Sequence, residues 1–210
     1  MADAELFEDL LQPILLSLHL RLTPDQLGLL ERHYRTLRAW SARLNLTALR
    51  DPAAVVRRHF GESLLAAVKL PTVKTVADLG SGPGFPGFPV AVVRSELTVT
   101  LVESVTKKAA FLKEISRDVP NVRVVRGRFE DLTDRFDWVL SRAVSITSLQ
   151  ANLARLTDGV SILTRKASVM KAVESLALHE HRVDPIPWDP SFVLLQGTFH
   201  VKHSLRERFT

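Results

Sequence analysis

Residues 78–87 read Asp-Leu-Gly-Ser-Gly-Pro-Gly-Phe-Pro-Gly. Glycines let a backbone turn tightly and lie at contact distance from a ligand. The stretch Gly82-Pro83-Gly84-Phe85-Pro86-Gly87 fits the Gly-x-Gly-x-x-Gly string of dinucleotide loops. Three uses stay open: a dinucleotide, S-adenosylmethionine, or a plain glycine-proline turn. Two features favour S-adenosylmethionine. Asp78 stands two residues before Gly80, where a carboxylate can answer the amine of a methionine, a group that dinucleotides lack. Pro83 and Pro86 each remove an N–H, and a pyrophosphate would need those donors. Glu103, 25 residues after Asp78, can accept both hydroxyls of a ribose, which either cofactor carries. Asp78, Gly80, Gly82, Gly84, Phe85 and Glu103 are therefore the candidate cofactor residues.

Two later strings add to the set. Arg128-Phe129-Glu130-Asp131 should border an adenine, with Phe129 packing on the base and Glu130 near its amino edge; an ordinary turn is the alternative. Ser141-Arg142-Ala143-Val144 should face the reacting methyl group. Arg142 is the candidate catalytic residue, its alternative a salt bridge to Glu103 or Glu130. The sequence has no cysteine, which excludes disulfides, thiolate metal sites and covalent thiolate attack on a pyrimidine. His179-Glu180-His181 lacks metal-site spacing and reads as an exposed helix end; no metal is expected.

These residues need a scaffold. Leu6, Phe7, Leu10, Leu11, Ile14, Leu15 and Leu18 follow helical spacing, with Pro13 as a break or kink. Thr23-Pro24-Asp25-Gln26 starts a second helix with a capping box. Leu27, Leu30, Tyr34, Leu37 and Leu44 should lie toward its buried side. Asp51-Pro52 starts a third helix, running to about Val68. After Pro71 strands at 76–79, 97–103, 122–125, 137–140 and 160–163 alternate with helices at 86–94, 105–117, 147–156 and 167–178. Phe192–Leu195 and Thr198–Lys202 read as a hairpin around Gln196-Gly197. Alternation of this kind predicts a parallel sheet with right-handed crossovers. The expected architecture is α/β, with residues 1–70 a helical extension and residues 71–210 the cofactor domain.

Composition narrows the partners. Hydrophobic residues form 46% of the 210, enough for a sizeable core. No apolar run reaches the ~20 residues of a membrane span, and the acidic N-terminus lacks the basic region of a signal peptide. A cytoplasmic monomer is expected. The net charge of +5 favours a polyanion. From Arg32 to His59 lie seven arginines, one acid (Asp51) and no lysine. Arginine forks bind phosphate in two-pronged fashion and stack on bases; the bland alternative is a solvated helix face.

With these residues in view, the chain resembles the bacterial small-subunit rRNA guanine-N7 methyltransferases, the glucose-inhibited division protein B family. The resemblance runs from about Trp40 to Ala167. It rests on Asn45-Leu46-Thr47, Arg58-His59 with Ser63, the 78–87 loop, Lys107-Lys108 with Phe111-Leu112, Asn121-Val122, Arg128-Phe129-Glu130 and Ser141-Arg142-Ala143. It implies a Rossmann-like class I methyltransferase fold, a mostly parallel seven-stranded sheet closed by an antiparallel hairpin. It implies that Gly80, Phe85, Phe129, Glu130 and Arg142 line the methyl-transfer site, and that Asn45, Arg58, His59 and Lys107 lie near RNA. Lys166 joins them from the family's Lys-Gly, which is Lys166-Ala167 here. The family's usual Asp-Ser is Glu62-Ser63. The implied product is 7-methylguanosine in the decoding region of 16S rRNA, with S-adenosylmethionine as cofactor and 16S rRNA or the small ribosomal subunit as partner.

The chemistry agrees with that expectation. Guanine N7 offers an in-plane lone pair and no proton, so its methylation needs no general base. The Asn/Asp-Pro-Pro-Tyr/Phe segment of amino methyltransferases is absent. Arg142 could meet guanine O6 or a phosphate. Competing readings are a methyltransferase of small molecules or proteins, an RNA-binding module with a dead cofactor site, and, more distantly, a nicotinamide dehydrogenase.

Overall fold

The computed structural model describes residues 2–199. The first helix, α1 (Ala2–Ser17), passes through Pro13 without a break. Proline inside a helix costs about 3 kcal/mol, but Phe7, Leu11 and Ile14 are all buried here, and burying such side chains stabilises by roughly 1.5–3 kcal/mol each. The packing outweighs the missing hydrogen bond. The capping box at Thr23 and Gln26 opens α2 (Pro24–Leu44) as expected, and Asn45 ends it in a left-handed conformation. Gln26 also donates from Nε2 to the carbonyls of Val92 and Val93, far along the chain. The helix expected from Asp51 is a continuous run of three pieces: α3 (Pro52–Val55), a π-helical turn (Val56–Gly61) and α4 (Glu62–Lys69).

Then come β1 (Thr75–Leu79), α5 (Gly87–Val93), β2 (Thr98–Glu103), α6 (Thr106–Ile115), β3 (Val122–Arg126), β4 (Trp138–Arg142), α7 (Ile146–Gln150), α8 (Leu153–Leu156), β5 (Gly159–Arg165), α9 (Val169–Leu176), β6 (Glu180–Pro185) and β7 (Phe192–Thr198). The sheet order is β3-β2-β1-β4-β5-β7-β6. The first five strands pair in parallel, and β7 is antiparallel to both β5 and β6. The order reverses between β1 and β4, so a cleft opens at their carboxyl ends, where open α/β sheets bind ligands. The outer strand β6 is largely exposed.

The expected antiparallel hairpin is present, formed by β6 and β7, but its strands and turn are displaced from the expected positions. Gln196 and Gly197 lie inside β7, which runs through them unbroken and takes β6 as its partner. A Cβ on Gly197 would come within 2.6 Å of Leu178, so this glycine makes room for a side chain and does not turn the chain. The turn itself holds Pro187, Trp188, Asp189 and Pro190. The end of the expected strand, 200–202, lies outside the described residues. His179-Glu180-His181 is also not a helix end, because α9 stops at Leu176 and Glu180 begins β6. The helix expected over 147–156 is two short helices, α7 and α8.

The helices of residues 1–70 and the sheet share one hydrophobic core, which runs from Phe7 and Tyr34 through Phe60 to Phe88 and Phe111. At its centre Phe85 lies between two imidazoles. His33 of α2 stacks on one face at 4.6 Å and 20°, and His59 of the π-helical turn on the other at 4.7 Å and 16°. Phe60 meets the Phe85 edge at 5.0 Å. His33 is fully buried. Its Nε2–H donates to the Pro83 carbonyl at 2.7 Å, while Nδ1 has no partner. Burial holds its pKa down at about 3.

This burial gives a pH signature. The unfolded His33 takes up a proton near pH 6.5 and the folded one does not, so His33 removes stability as pH falls from about 6.5 toward 3. The rate is about 1.4 kcal/mol per pH unit. Asp78, pushed up to about 7 by burial, acts in the opposite sense over the same range, so the whole-protein profile mixes the two. The difference between wild type and His33→Gln isolates one of them. In urea titrations the variant is expected to be less stable at pH 7, with its deficit shrinking by about 1.4 kcal/mol per unit between pH 6 and 5. A deficit independent of pH would contradict a neutral buried His33.

Candidate active site

The cleft at the β1/β4 switch point has a volume of about 790 Å³. Its floor is the loop after β1. Gly80, Gly82 and Gly84 all have positive φ, a region in which a side chain is strained. Gly80 and Ser81 donate their N–H groups back to Val102, while Gly84 and Phe85 donate to Ser81. Gly80 and Gly82 line the cleft; Gly84 does not. A Cβ on Gly84 would press on Ile115, Phe88 and His33, all within 3.4 Å. Gly84 therefore serves packing beneath the loop, whereas a Cβ on Gly82 would meet nothing closer than 3.9 Å. At Gly80 and Gly82 the loop presents bare backbone to the cleft, as close approach of a ligand requires, with Ser81, Pro83 and Phe85 beside them in the lining.

Asp78 is fully buried under the loop and does not line the cleft. Its Oδ2 accepts the Gly87 N–H at 2.9 Å, and Oδ1 has no partner. Its place is that of a brace on the loop, away from the open surface where an amine would sit. Glu103, at the end of β2, does line the cleft. Its Oε2 accepts from Gly82 N–H at 3.0 Å and its Oε1 from Val105 N–H at 2.8 Å. Each oxygen keeps a lone pair for a hydroxyl. Phe129 and Glu130 form a 3₁₀ turn outside the cleft lining. Phe129 packs on the second core cluster, and Glu130 lies 3.7 Å from Arg128.

Arg142 ends β4 and faces the cleft, with 15% of its side chain exposed. Its carboxylate partner is neither Glu103 nor Glu130. It is Glu62, whose Oε2 lies 3.1 Å from Arg142 Nε. Arg142 Nη1 also donates to His59 Nδ1 at 2.7 Å. Glu62 is 1% exposed and takes Arg58 on its other oxygen. Burial raises the Glu62 pKa, and the charges of Arg142 and Arg58 oppose the rise. Arg58 in turn lies over the Phe192 ring at 3.6 Å and reaches Asp189 at 3.8 Å. Burial first, then the Arg142 charge, depresses His59 well below the usual histidine range.

The residues expected near RNA are split. Arg58 and His59 line the cleft. Asn45 is exposed at the end of α2, outside the lining, and its side chain accepts from Arg50. Lys107 and Lys166 are exposed but point elsewhere; their neighbours Lys108 and Arg165 line the cleft instead, together with Lys171 of α9. Sequence reading missed His33, Glu62, Lys108, Arg165 and Lys171 as site residues. His33 carried one signal, a helical spacing that sets it with Leu30 and Leu37 on the buried face of α2. Glu62 stood out only as a departure from the family's Asp. Part of the arginine cluster is engaged within the protein: Arg32 with Asp118, Arg35 with Glu31, Arg38 with the Tyr34 hydroxyl.

The donor set fits S-adenosylmethionine: an open glycine backbone, a carboxylate at the end of the second strand, and room beyond both. Among the described residues, no group of His, Cys, Asp and Glu could hold a metal, and no helix is long and apolar enough to cross a membrane.

Known proteins share this fold and much of this sequence. Among solved structures, a SAM-dependent methyltransferase from Aquifex aeolicus superposes with a TM-score of 0.57 at 15% identity, covering 73% of this chain and 96% of that one. TYW2 of M. jannaschii, in complex with AdoMet, gives 0.53 at 17% identity, covering 67% and 75%. At such identities the likeness is one of fold. A Roseiflexus castenholzii protein named ribosomal RNA small subunit methyltransferase G is 42% identical over 162 residues, covering 72% of this chain and 69% of that protein. One of the same name from Stenotrophomonas maltophilia is 37% identical, with 75% and 73% covered. With the relative from Roseiflexus sp. strain RS-1 the match spans 58% of that protein's length. Residues 26–179, well over half of the chain, match the family described as rRNA small subunit methyltransferase G. The chain therefore belongs to that family, GidB.

Proposed function

We propose that this chain transfers a methyl group from S-adenosylmethionine to N7 of a guanine in 16S rRNA, in the decoding region of the small ribosomal subunit. One observation carries the reading: the glycine loop, Glu103 and Arg142 open on a single cleft at the switch point of the sheet. Residues 71–210 supply the donor site, and residues 1–70 supply Arg58, His59 and Glu62 to the facing wall. Such work belongs in the cytoplasm, where small subunits are assembled.

When bound, S-adenosylmethionine supplies an electrophilic methyl carbon on a sulfonium. Gly80 and Gly82 give its amino-acid portion a backbone surface, and Glu103 accepts the ribose hydroxyls. Asp78 acts from below by holding Gly87 and with it the shape of the loop. Phe129 and Glu130 flank the adenine end from outside the cleft lining. No residue has to remove a proton, because N7 carries none. What the protein must do is hold the guanine plane so that N7 lies in line with the methyl carbon, and alignment of this kind can lower a barrier by roughly 7–11 kcal/mol. Arg142 is the residue placed to do so, donating to guanine O6 or to a neighbouring phosphate. A lone cation beside a base that becomes positive would oppose the reaction. Glu62 at 3.1 Å compensates that charge, so Arg142 can orient the base with little electrostatic penalty.

The RNA backbone would be held at the cleft rim. Arg165 and Lys171 are exposed there and, among the described residues, have no carboxylate partner. Asn45, Lys107 and Lys166 would touch RNA farther out.

Three outcomes are expected. Mass spectrometry of 16S rRNA nucleosides from a deletion strain should show one 7-methylguanosine lost and then restored by the gene; an unchanged nucleoside profile would refute the reading. Arg142→Ala should reduce single-turnover methyl transfer roughly 10²- to 10³-fold, the usual loss of one preorganised donor, while calorimetry shows donor affinity within about threefold of wild type. Equal losses in turnover and affinity would make Arg142 a cofactor ligand instead. Arg165→Ala and Lys171→Ala should each lower the slope of log K against log salt for RNA binding by about one, with donor binding untouched. An unaltered slope would remove these two residues from the interface.

A further inference from the structure

The wall around Arg142 contains residues that the reaction does not touch. We propose that Glu62, His59 and Thr47 form a positioning clamp that fixes the orientation of the Arg142 guanidinium and couples it to the cofactor loop. The clamp rests on the functional reading above for its purpose, though not for its existence.

The guanidinium is planar and carries only donors. Its Nε is held by Glu62 Oε2 at 3.1 Å, and its Nη1 by His59 Nδ1 at 2.7 Å. Two anchors on different atoms of a planar group stop it from swinging about its long stem. The remaining exposure, 15%, is toward the cleft. Because arginine donates, His59 Nδ1 must accept, so the His59 proton sits on Nε2. That Nε2–H has an acceptor 2.7 Å away, Thr47 Oγ1, which also receives the Leu49 N–H at 3.1 Å. Thr47 thereby accepts from the tautomer that Arg142 imposes on His59. A protonated His59 would present a donor to a donor, and its surroundings oppose that form. The same imidazole lies flat on Phe85 at 4.7 Å, and Phe85 belongs to the glycine loop. The acceptor-facing arginine and the donor-binding loop are thus braced by one ring.

Glu62 closes the clamp from the other side. It is almost wholly buried and divides its two oxygens between Arg58 and Arg142. A buried carboxylate with two arginines cannot turn toward one without abandoning the other. Arg58 is itself stacked on Phe192, so the geometry of Arg142 is referred back to the β6–β7 hairpin as well as to the loop. None of these partners needs to reach substrate, which makes them positioning residues.

The test is a double-mutant cycle joined to a direct view of the guanidinium. Glu62→Gln keeps the shape and removes the charge. It should lower kcat roughly 10- to 100-fold, the usual consequence of a small misplacement, with KM for the donor and its calorimetric affinity within about threefold of wild type. In an Arg142→Ala background the same substitution should cost less than about twofold, because its effect passes through Arg142. Thr47→Val, which leaves the buried charges intact, should lower kcat by a smaller factor and show the same silence in that background. It carries the cycle if Glu62→Gln fails to fold. In the substrate-free protein the Arg142 Nε–H resonance, assigned by its loss in Arg142→Ala, should be slow to exchange in wild type and fast in either clamp variant. Unchanged kcat, losses that multiply with Arg142→Ala, or an unaltered Nε–H would each overturn the clamp. If wild type methylates no guanine in the small subunit, the functional reading falls, while the resonance still decides whether the clamp exists.

Discussion

The stack of His33, Phe85 and His59 is the contact on which the arrangement depends. A glycine-rich loop has little conformational preference of its own, and its backbone must nevertheless hold one shape beneath a ligand. The loop's single large side chain, Phe85, solves this by lying between two imidazoles from separate helical segments. His33 grips the loop again at the Pro83 carbonyl. Neutral imidazoles suit this role, because each gives a flat apolar face and keeps a ring nitrogen for a directed hydrogen bond. Both remain uncharged because burial penalises the proton. The loop is therefore shaped from outside, by residues that precede it in the chain.

Charge in the cleft is arranged on two levels. Deep in the wall, Arg142 and Arg58 share the buried Glu62, and Asp189 adds a second carboxylate near Arg58. This cluster is close to neutral, which suits the proposed transfer, since that reaction would leave positive charge on a base. On the rim, Arg165 and Lys171 stand free of carboxylates among the described residues. Positive charge there can act on a distant polyanion through water. On the proposed function, separating neutral orientation from cationic capture would let one cleft hold a phosphate chain without opposing the chemistry beside it.

How much of this was legible in the sequence follows from the range of each signal. The loop, its flanking strands and the caps at Thr23 and Asp51 are local patterns, and they stand where the residues placed them. Glu103 and Arg142 line the cleft because strand ends at a switch point open onto it whatever their neighbours. The partner of Arg142 was not legible, since Glu62 lies eighty residues earlier in the chain and only packing joins them. Lys107 and Lys166 stand one position away from residues of the cleft lining for the same reason. Adjacent residues on a helix or turn point in different directions, so motif spacing located the segment, and the fold chose Lys108 and Arg165. Gly197 misled for a different reason. A glycine in a run of β-formers reads equally as a turn or as a gap for a neighbour, and Leu178 decides between them only in three dimensions.

The two margins of the sheet carry a consequence of their own. Strand β6 ends in Arg182, Asp184 and Pro185, and β3 at the opposite margin places Arg123 and Arg126 among its valines. Charges and a proline along an outer strand make a poor template for another chain. A fold with five parallel strands must wait for distant segments before it closes, and during that wait its rims are open. These side chains discourage a second, half-folded copy from adding its strand to the ladder, so the protection they give belongs to biosynthesis and comes before any catalysis.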